Sequence, residues 1–157
     1  MRLSEWRTDA PVRDALGPTV VAVVEPVLTA LAGEGDPHCW VAWGDDPAIR
    51  YSILAPSPAG LVQCFVRVNV PGEGPRATSK LIRWSRLQLG ELAMETQGGH
   101  RLVSFQVEST ILRGADDLAD LVAAFAQLLF AAADGRDLTE ASAKPGRTAR
   151  ARRSSGA

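Results

Sequence analysis

The stretch from Thr78 to Asp134 decides the fold. It reads TSKLIRWSRLQLGELAMETQGGHRLVSFQVESTILRGADDLADLVAAFAQLLFAAAD. At its start, the apolar residues of LIRW at 81–84 have helical spacing, and Thr78 or Ser79 before them can cap a helix. Gly90 ends that segment. This pattern predicts a short amphipathic helix that is followed by further strands.

The middle of the stretch predicts a β-hairpin that turns on Gly98-Gly99, since two glycines supply the positive φ of a tight turn. Apolar residues alternate with polar ones on both sides of the turn: Leu92 and Met94 before it, and Val103, Phe105 and Val107 after it. The end predicts a long amphipathic helix, because its apolar residues recur every three or four positions. They are Leu118, Leu121, Val122, Phe125, Leu128, Leu129 and Ala132.

Before Thr78, the segment Thr19 to Ala32 is apolar with helical spacing, and Gly33 ends it. Proline removes a helical hydrogen bond unless it lies in the first turn. The helix is therefore either kinked near Ala22 or begins at Glu25, which would place Pro26 in its first turn. Of these two alternatives we expect one kinked helix.

Three strand-like runs follow, at residues 39–43, 49–54 and 61–70, each bounded by turn residues. In the third run, alternate residues from Val62 to Val70 form one apolar face, while Gln63, Arg67 and Asn69 lie on the other face together with Phe65. We therefore predict an α+β fold in which helices flank one antiparallel five-stranded sheet, in the order α-β-β-β-α-β-β-α.

Composition predicts one domain over residues 1–135, in which residues 1–10 are a lead-in, and a disordered basic tail at residues 136–157. The chain has 17 basic and 18 acidic residues, but the tail is basic, with a net charge of +4. The domain is left with about −5. Such a mildly acidic body is not typical of a nucleic-acid-binding surface.

The two cysteines, Cys39 and Cys64, have no disulfide-framework spacing, and together with an N-terminus that lacks a signal-peptide pattern they predict a cytoplasmic protein. The most apolar run, Val20 to Leu31, is too short to span a bilayer. We expect no membrane association.

Residues 81–85 (LIRWS), 89–94 (LGELAM) and 103–107 (VSFQV), with the Gly98-Gly99 turn and the helix start at 116–121, resemble the YbjN family and the type III secretion chaperones that share its fold. This resemblance implies a bacterial, non-enzymatic α+β protein that is often dimeric and that binds another polypeptide as an extended chain over exposed apolar patches. It implies no catalytic residue.

The sequence offers little catalytic chemistry. His38, Cys39, Cys64 and His100 lack the paired spacing of a zinc site, and we expect no metal. We expect Cys64 to be an inert core thiol. The acidic pairs at residues 45–46 and 116–117 are explained by a turn and by a helix start. The glycine-rich loops match no phosphate-binding motif. We therefore predict no catalytic residue, no cofactor and no enzymatic activity.

Two groups of residues are candidates for contacts with partners. Tryptophan is enriched in binding hot spots, and the aromatic candidates for binding another protein are Trp40, Trp43, Phe65 and Trp84. Trp40 and Trp43 are three apart in a predicted strand and so point to opposite faces. The candidates for polyanion contact are tail residues Lys144, Arg147, Arg150, Arg152 and Arg153.

Our leading hypothesis is a protein-binding module, chaperone-like or an accessory subunit, that works as a homodimer. The alternatives are a nucleic-acid-associated protein that uses the basic tail, and a small-ligand binder without a recognisable motif.

Overall fold

A computed structural model of the chain describes residues 17–33, 41–46 and 49–136, and for residues 41–46 and Tyr51 it describes the backbone alone. These ranges contain two α-helices and seven β-strands. In chain order they are α1 (Pro18–Ala32), β1 (Val41–Asp46), β2 (Arg50–Ser57), β3 (Gly60–Arg67), β4 (Arg76–Ile82), β5 (Leu89–Gln97), β6 (His100–Val107), β7 (Thr110–Ala115) and α2 (Asp117–Ala133). A 3-10 turn, Trp84–Arg86, connects β4 to β5.

The strands form two antiparallel sheets, not the single five-stranded sheet that we predicted. One sheet has four strands in the order β1-β2-β3-β4, and the other has three in the order β5-β6-β7. Within each sheet, every strand pairs with its neighbour in sequence, as expected for strands joined by short connections. The class is α+β, but the predicted element order is wrong.

The predicted helix after Thr78 is wrong, because residues Arg76–Ile82 form strand β4. Exposure alternates along this strand, with Thr78 and Lys80 facing outward and Ser79 partly buried. This alternation has the two-residue period of a strand, and it begins at Arg76, before the apolar residues 81–84 that suggested a helix. Strand β4 pairs with β3 along its full length, and this pairing satisfies the backbone N–H and C=O groups that a helix would otherwise satisfy internally.

Strand β7 was not predicted, because the predicted order had no strand between the Gly98-Gly99 hairpin and the last helix. It follows β6 through a two-residue turn in which Glu108 has φ 53°. No glycine or proline marks that turn, so the sequence lacks the usual hairpin signal. The predicted hairpin itself is present, with Gln97 paired to His100 across the two glycines.

Helix α1 runs from Pro18 through Pro26 to Ala32, so the alternative start at Glu25 is wrong. Its buried residues Val20, Val24 and Leu28 recur every four positions. They pack against a cluster from the four-stranded sheet that comprises Ile53, Ala55, Val62, Cys64, Val66 and Val68. Helix α1 therefore covers one face of this sheet.

The second cluster joins the other sheet, α2 and the opposite face of β2 and β3. Phe105 of β6 and Phe125 of α2 are both fully buried in it. Leu54 and Leu61 of the four-stranded sheet belong to this cluster as well. Both faces of β3 are thus buried near the β2–β3 turn, and only the far half of one face remains open.

Candidate partner-binding surface

The open part of the four-stranded sheet lies opposite α1, and its rows follow from the strand register. One row joins Ser52, Phe65 and Thr78, since Ser52 pairs with Phe65 and Phe65 pairs with Thr78. Directly paired residues of neighbouring strands lie on the same face. We call this surface the open face, and it comprises Arg50, Ser52, Phe65, Arg67, Arg76, Thr78 and Lys80.

The next row of the open face consists of three arginines, and we call it the arginine row. Arg50 pairs with Arg67, and Arg67 pairs with Arg76. All three are exposed. The Cα atoms of such neighbours are about 5 Å apart, so three guanidinium groups are concentrated at one end of the sheet.

Phe65 is the exposed apolar side chain of the open face, with 47% of its surface accessible. Its neighbours along β3, Cys64 and Val66, point to the opposite face and are buried under α1. Because side chains alternate along a strand, Phe65 must point away from α1 in this register. A large aromatic ring rimmed by polar and cationic side chains is typical of a binding surface.

Two acidic residues border the arginine row. Glu73, in the loop before β4, forms an ion pair with Arg67 at 3.7 Å, and both side chains are about half exposed. An ion pair this exposed contributes little to stability. On the other side, the register places Asp46 of β1 opposite Arg50.

The aromatic residues that the sequence suggested as partner contacts do not all lie on this surface. Trp43 shares the row of Phe65, because it pairs with Ser52. Trp84 lies elsewhere: its indole Nε1 donates a 3.0 Å hydrogen bond to the backbone oxygen of Ser57, and its ring packs against the second cluster. Trp40 lies outside the described residues, as do the tail candidates Lys144, Arg147, Arg150, Arg152 and Arg153.

Cys64 occupies the inward position that the sequence predicted. It is free and fully buried beneath α1. Burial raises the pKa of the Cys64 thiol, and the neighbouring Ser79 side chain lowers it by a smaller amount. A thiol that stays protonated and out of contact with solvent is a poor nucleophile.

A polar cluster ties the β5–β6 hairpin to the start of α2. His100 Nδ1 lies 2.8 Å from Asp116 Oδ2, and the backbone N–H of Arg101 donates to Asp116 Oδ1 at 3.2 Å. The Arg101 guanidinium also donates to Asp120. The bond with His100 and the Arg101 N–H hold the pKa of Asp116 below its ordinary value. The cluster is exposed, and its contacts explain it as a structural link.

Of the four residues considered and rejected as zinc ligands, the two that the structure describes lie apart. Cys64 is under α1, whereas His100 is in the β5–β6 hairpin, and His38 and Cys39 lie outside the described residues. Across residues 17–33, 41–46 and 49–136, no group of three or more His, Cys, Asp or Glu side chains is arranged to hold a metal. Neither helix of that part of the chain is long and apolar enough to cross a membrane.

Comparisons of the chain with protein-family models, with curated proteins and with solved structures find no match. The resemblance to the YbjN family and the secretion chaperones therefore stays a prediction.

Sequence reasoning missed the arginine row, because it averaged charge over residues 1–135. Within the described range 49–136, the charge is divided between two halves: residues 49–88 carry a net charge of +5, and residues 89–136 carry −4. A window count along the chain reveals this division. The alignment of Arg50, Arg67 and Arg76 in one row depends on strand register and is not visible in the sequence.

Proposed function

We propose that the protein is a non-enzymatic module that binds another polypeptide through the open face, as a chaperone or an accessory subunit does. The observation that carries the proposal is the half-exposed Phe65 ring in the middle of that face. Covering the rest of the ring would contribute about 1 kcal/mol. The polar rim of Ser52 and Thr78 can supply hydrogen bonds around it.

The test is affinity purification of the tagged full-length chain from its native host, with and without nuclease, followed by quantitative mass spectrometry. The variant is Phe65→Ser and the matched control is Ile111→Ser. Ile111 is 48% exposed on the three-stranded sheet, against 47% for Phe65, so both changes remove a similar exposed apolar surface.

We expect wild type and Ile111→Ser to recover the same protein at stoichiometric yield after nuclease treatment. We expect Phe65→Ser to recover about tenfold less, as the loss of a central hot-spot residue does. Equal recovery by all three proteins, or no partner with any of them, would contradict the proposal.

We also propose that the protein is a homodimer in the cytosol. A second set of exposed apolar side chains supports the dimer: Met94 of β5 is 59% exposed and Phe130 of α2 is 38% exposed. Both lie on the α2 side of the three-stranded sheet, where Met94 pairs with Val103 and the Phe130 ring lies 5.6 Å from that of Phe105.

Sedimentation equilibrium tests the dimer. We expect wild type at twice the chain mass of 16.7 kDa and Met94→Lys at the single mass, because a charge would be buried without a partner. A wild-type protein with the single mass at every concentration would rule the dimer out.

A further inference from the structure

We propose that the segment bound on the open face is an extended acidic peptide, with a carboxylate held by the arginine row and a large apolar side chain on Phe65. This inference rests on the proposed function and names the chemistry of the partner. Three observations support it. They are the like charges of the arginine row, the spacing between that row and Phe65, and the division of net charge between residues 49–88 and 89–136.

The arginine row has a cost in the unbound protein. Like charges directly opposite one another in neighbouring strands destabilise a sheet, and here Arg67 has an arginine opposite it on both sides. The pair with Glu73 offsets little of this repulsion, because it is long and half exposed. An anionic ligand in the row would relieve the repulsion among all three guanidinium groups.

The geometry favours a carboxylate on a peptide in extended conformation. Phe65 and Arg67 are two residues apart on β3, so their Cα atoms are separated by about 7 Å. Alternate side chains of an extended peptide have that same spacing. A peptide that runs along β3 can thus place an acidic residue over Arg67 and an apolar residue, two positions away, over Phe65.

Arginine is suited to this task, because its planar guanidinium group binds a carboxylate through two parallel hydrogen bonds. In the row, Arg50 and Arg76 flank Arg67, and they can bind the same carboxylate or the carboxylate of a second acidic residue in the peptide. The pattern we expect in the partner is therefore aspartate or glutamate, any residue, then a large apolar residue, with further acidic residues beside it.

The charge distribution favours a short acidic peptide over a nucleic acid. Nucleic-acid-binding domains usually have a strongly basic field and a pI above about 9, whereas this chain has a pI of about 6.1. The net charge of −4 on residues 89–136 repels a long polyanion.

The experiment selects ligands for the full-length protein from a random 12-residue peptide library displayed on phage. The test variant is the triple change Arg50→Gln, Arg67→Gln and Arg76→Gln. The control is Arg113→Gln, which removes an exposed arginine from β7. Circular dichroism confirms that each variant is folded. Binding of the selected peptides is then measured by fluorescence anisotropy at low and high salt, with a 20-residue polythymidylate as competitor.

We expect wild type and Arg113→Gln to enrich peptides with the acidic–any–apolar pattern. The triple variant should bind those peptides at least about tenfold more weakly, and high salt should weaken the binding to wild type. Replacing glutamate by glutamine in a selected peptide should produce a similar loss.

Enriched peptides without acidic residues, bound equally by wild type and the triple variant, would overturn this inference and leave the proposed function standing. Polythymidylate that displaces the selected peptides and binds more tightly than they do would overturn it in favour of a nucleic acid. No enrichment of any peptide, together with no partner in the affinity purification, would overturn the proposed function and this inference with it.

Discussion

Replacing Gly114 with alanine tests how closely α2 packs on the three-stranded sheet. A Cβ atom on Gly114 would lie 2.5 Å from the backbone oxygen of Leu118 and 2.6 Å from its carbonyl carbon. These are backbone atoms in the first turn of α2, so no side-chain rotation relieves the clash. The helix must move by about 1 Å to restore an ordinary van der Waals distance.

Such a shift loosens the packing of buried residues on α2, including Ala119 and Val122, against the sheet. Overpacking of this kind costs about 1–3 kcal/mol, and we expect a value near the upper end, about 2–3 kcal/mol. For a chain of this length, that corresponds to a decrease in Tm of about 6–9 °C.

Urea denaturation followed by circular dichroism measures the change in the free energy of unfolding. The matched control is Gly74→Ala, because Gly74 has no neighbouring atom within 4 Å of the added Cβ and has no positive φ. We expect that control to stabilise the protein by about 0.4–1 kcal/mol, since alanine restricts the unfolded chain. If Gly114→Ala proved as stable as Gly74→Ala, α2 would not pack on β7 as described.

Three further predictions concern individual side chains. Trp84→Phe should lower the free energy of unfolding by about 1 kcal/mol in urea titrations, because it removes the indole hydrogen bond to the β2–β3 turn; no loss would mean that this bond does not form. The pKa of Asp116 is lowered in the folded protein by its bond with His100, so the stabilisation is present above the ordinary carboxyl pKa and is lost as pH falls through the lowered value. Urea titrations from neutral to acidic pH should therefore show wild type losing its advantage over Asp116→Asn at acidic pH, and a constant difference would refute this. In a Cys39→Ser background, the buried Cys64 thiol should react with a disulfide reagent only after denaturation, and rapid native labelling would contradict its burial.

The sequence predicted the elements whose signals are local. Gly98-Gly99 defined the β5–β6 hairpin, because a tight turn with two positive φ values has few other solutions. Of the seven apolar positions predicted for α2, five are buried, including Val122, Phe125 and Leu129, whereas Leu118 and Leu121 are only partly buried. The helix also buries three alanines that the prediction did not include: Ala119, Ala126 and Ala131. In each case the pattern lies within one element.

The predictions that failed depended on pairing between distant segments. Leu81, Ile82 and Trp84 have apolar spacing that fits a helix, but pairing with β3 makes Arg76–Ile82 a strand. Gln63 was expected on a solvated face, yet it is buried, since β7 covers that part of β3 and Gln63 donates a 3.5 Å hydrogen bond to the Thr110 hydroxyl. Neither contact is visible in a local pattern.

The candidate site was predictable in part. Phe65 was singled out because it occupies a polar face of an alternating strand, and the structure exposes it. The arginine row was not predictable, since its members are separated by 17 and 9 positions and only the register of three strands aligns them. The basic tail was visible in the sequence, because its charges lie close together in one segment.

The most direct test of the central claim is site-specific photo-crosslinking in the native host. The full-length chain carries a benzoylphenylalanine at position 65 or, as the matched control, at position 111. We predict that position 65 crosslinks to a second polypeptide species in a nuclease-resistant adduct and that position 111 does not. Adducts from position 111 alone, or none from position 65, would contradict the assignment of the open face as the binding surface.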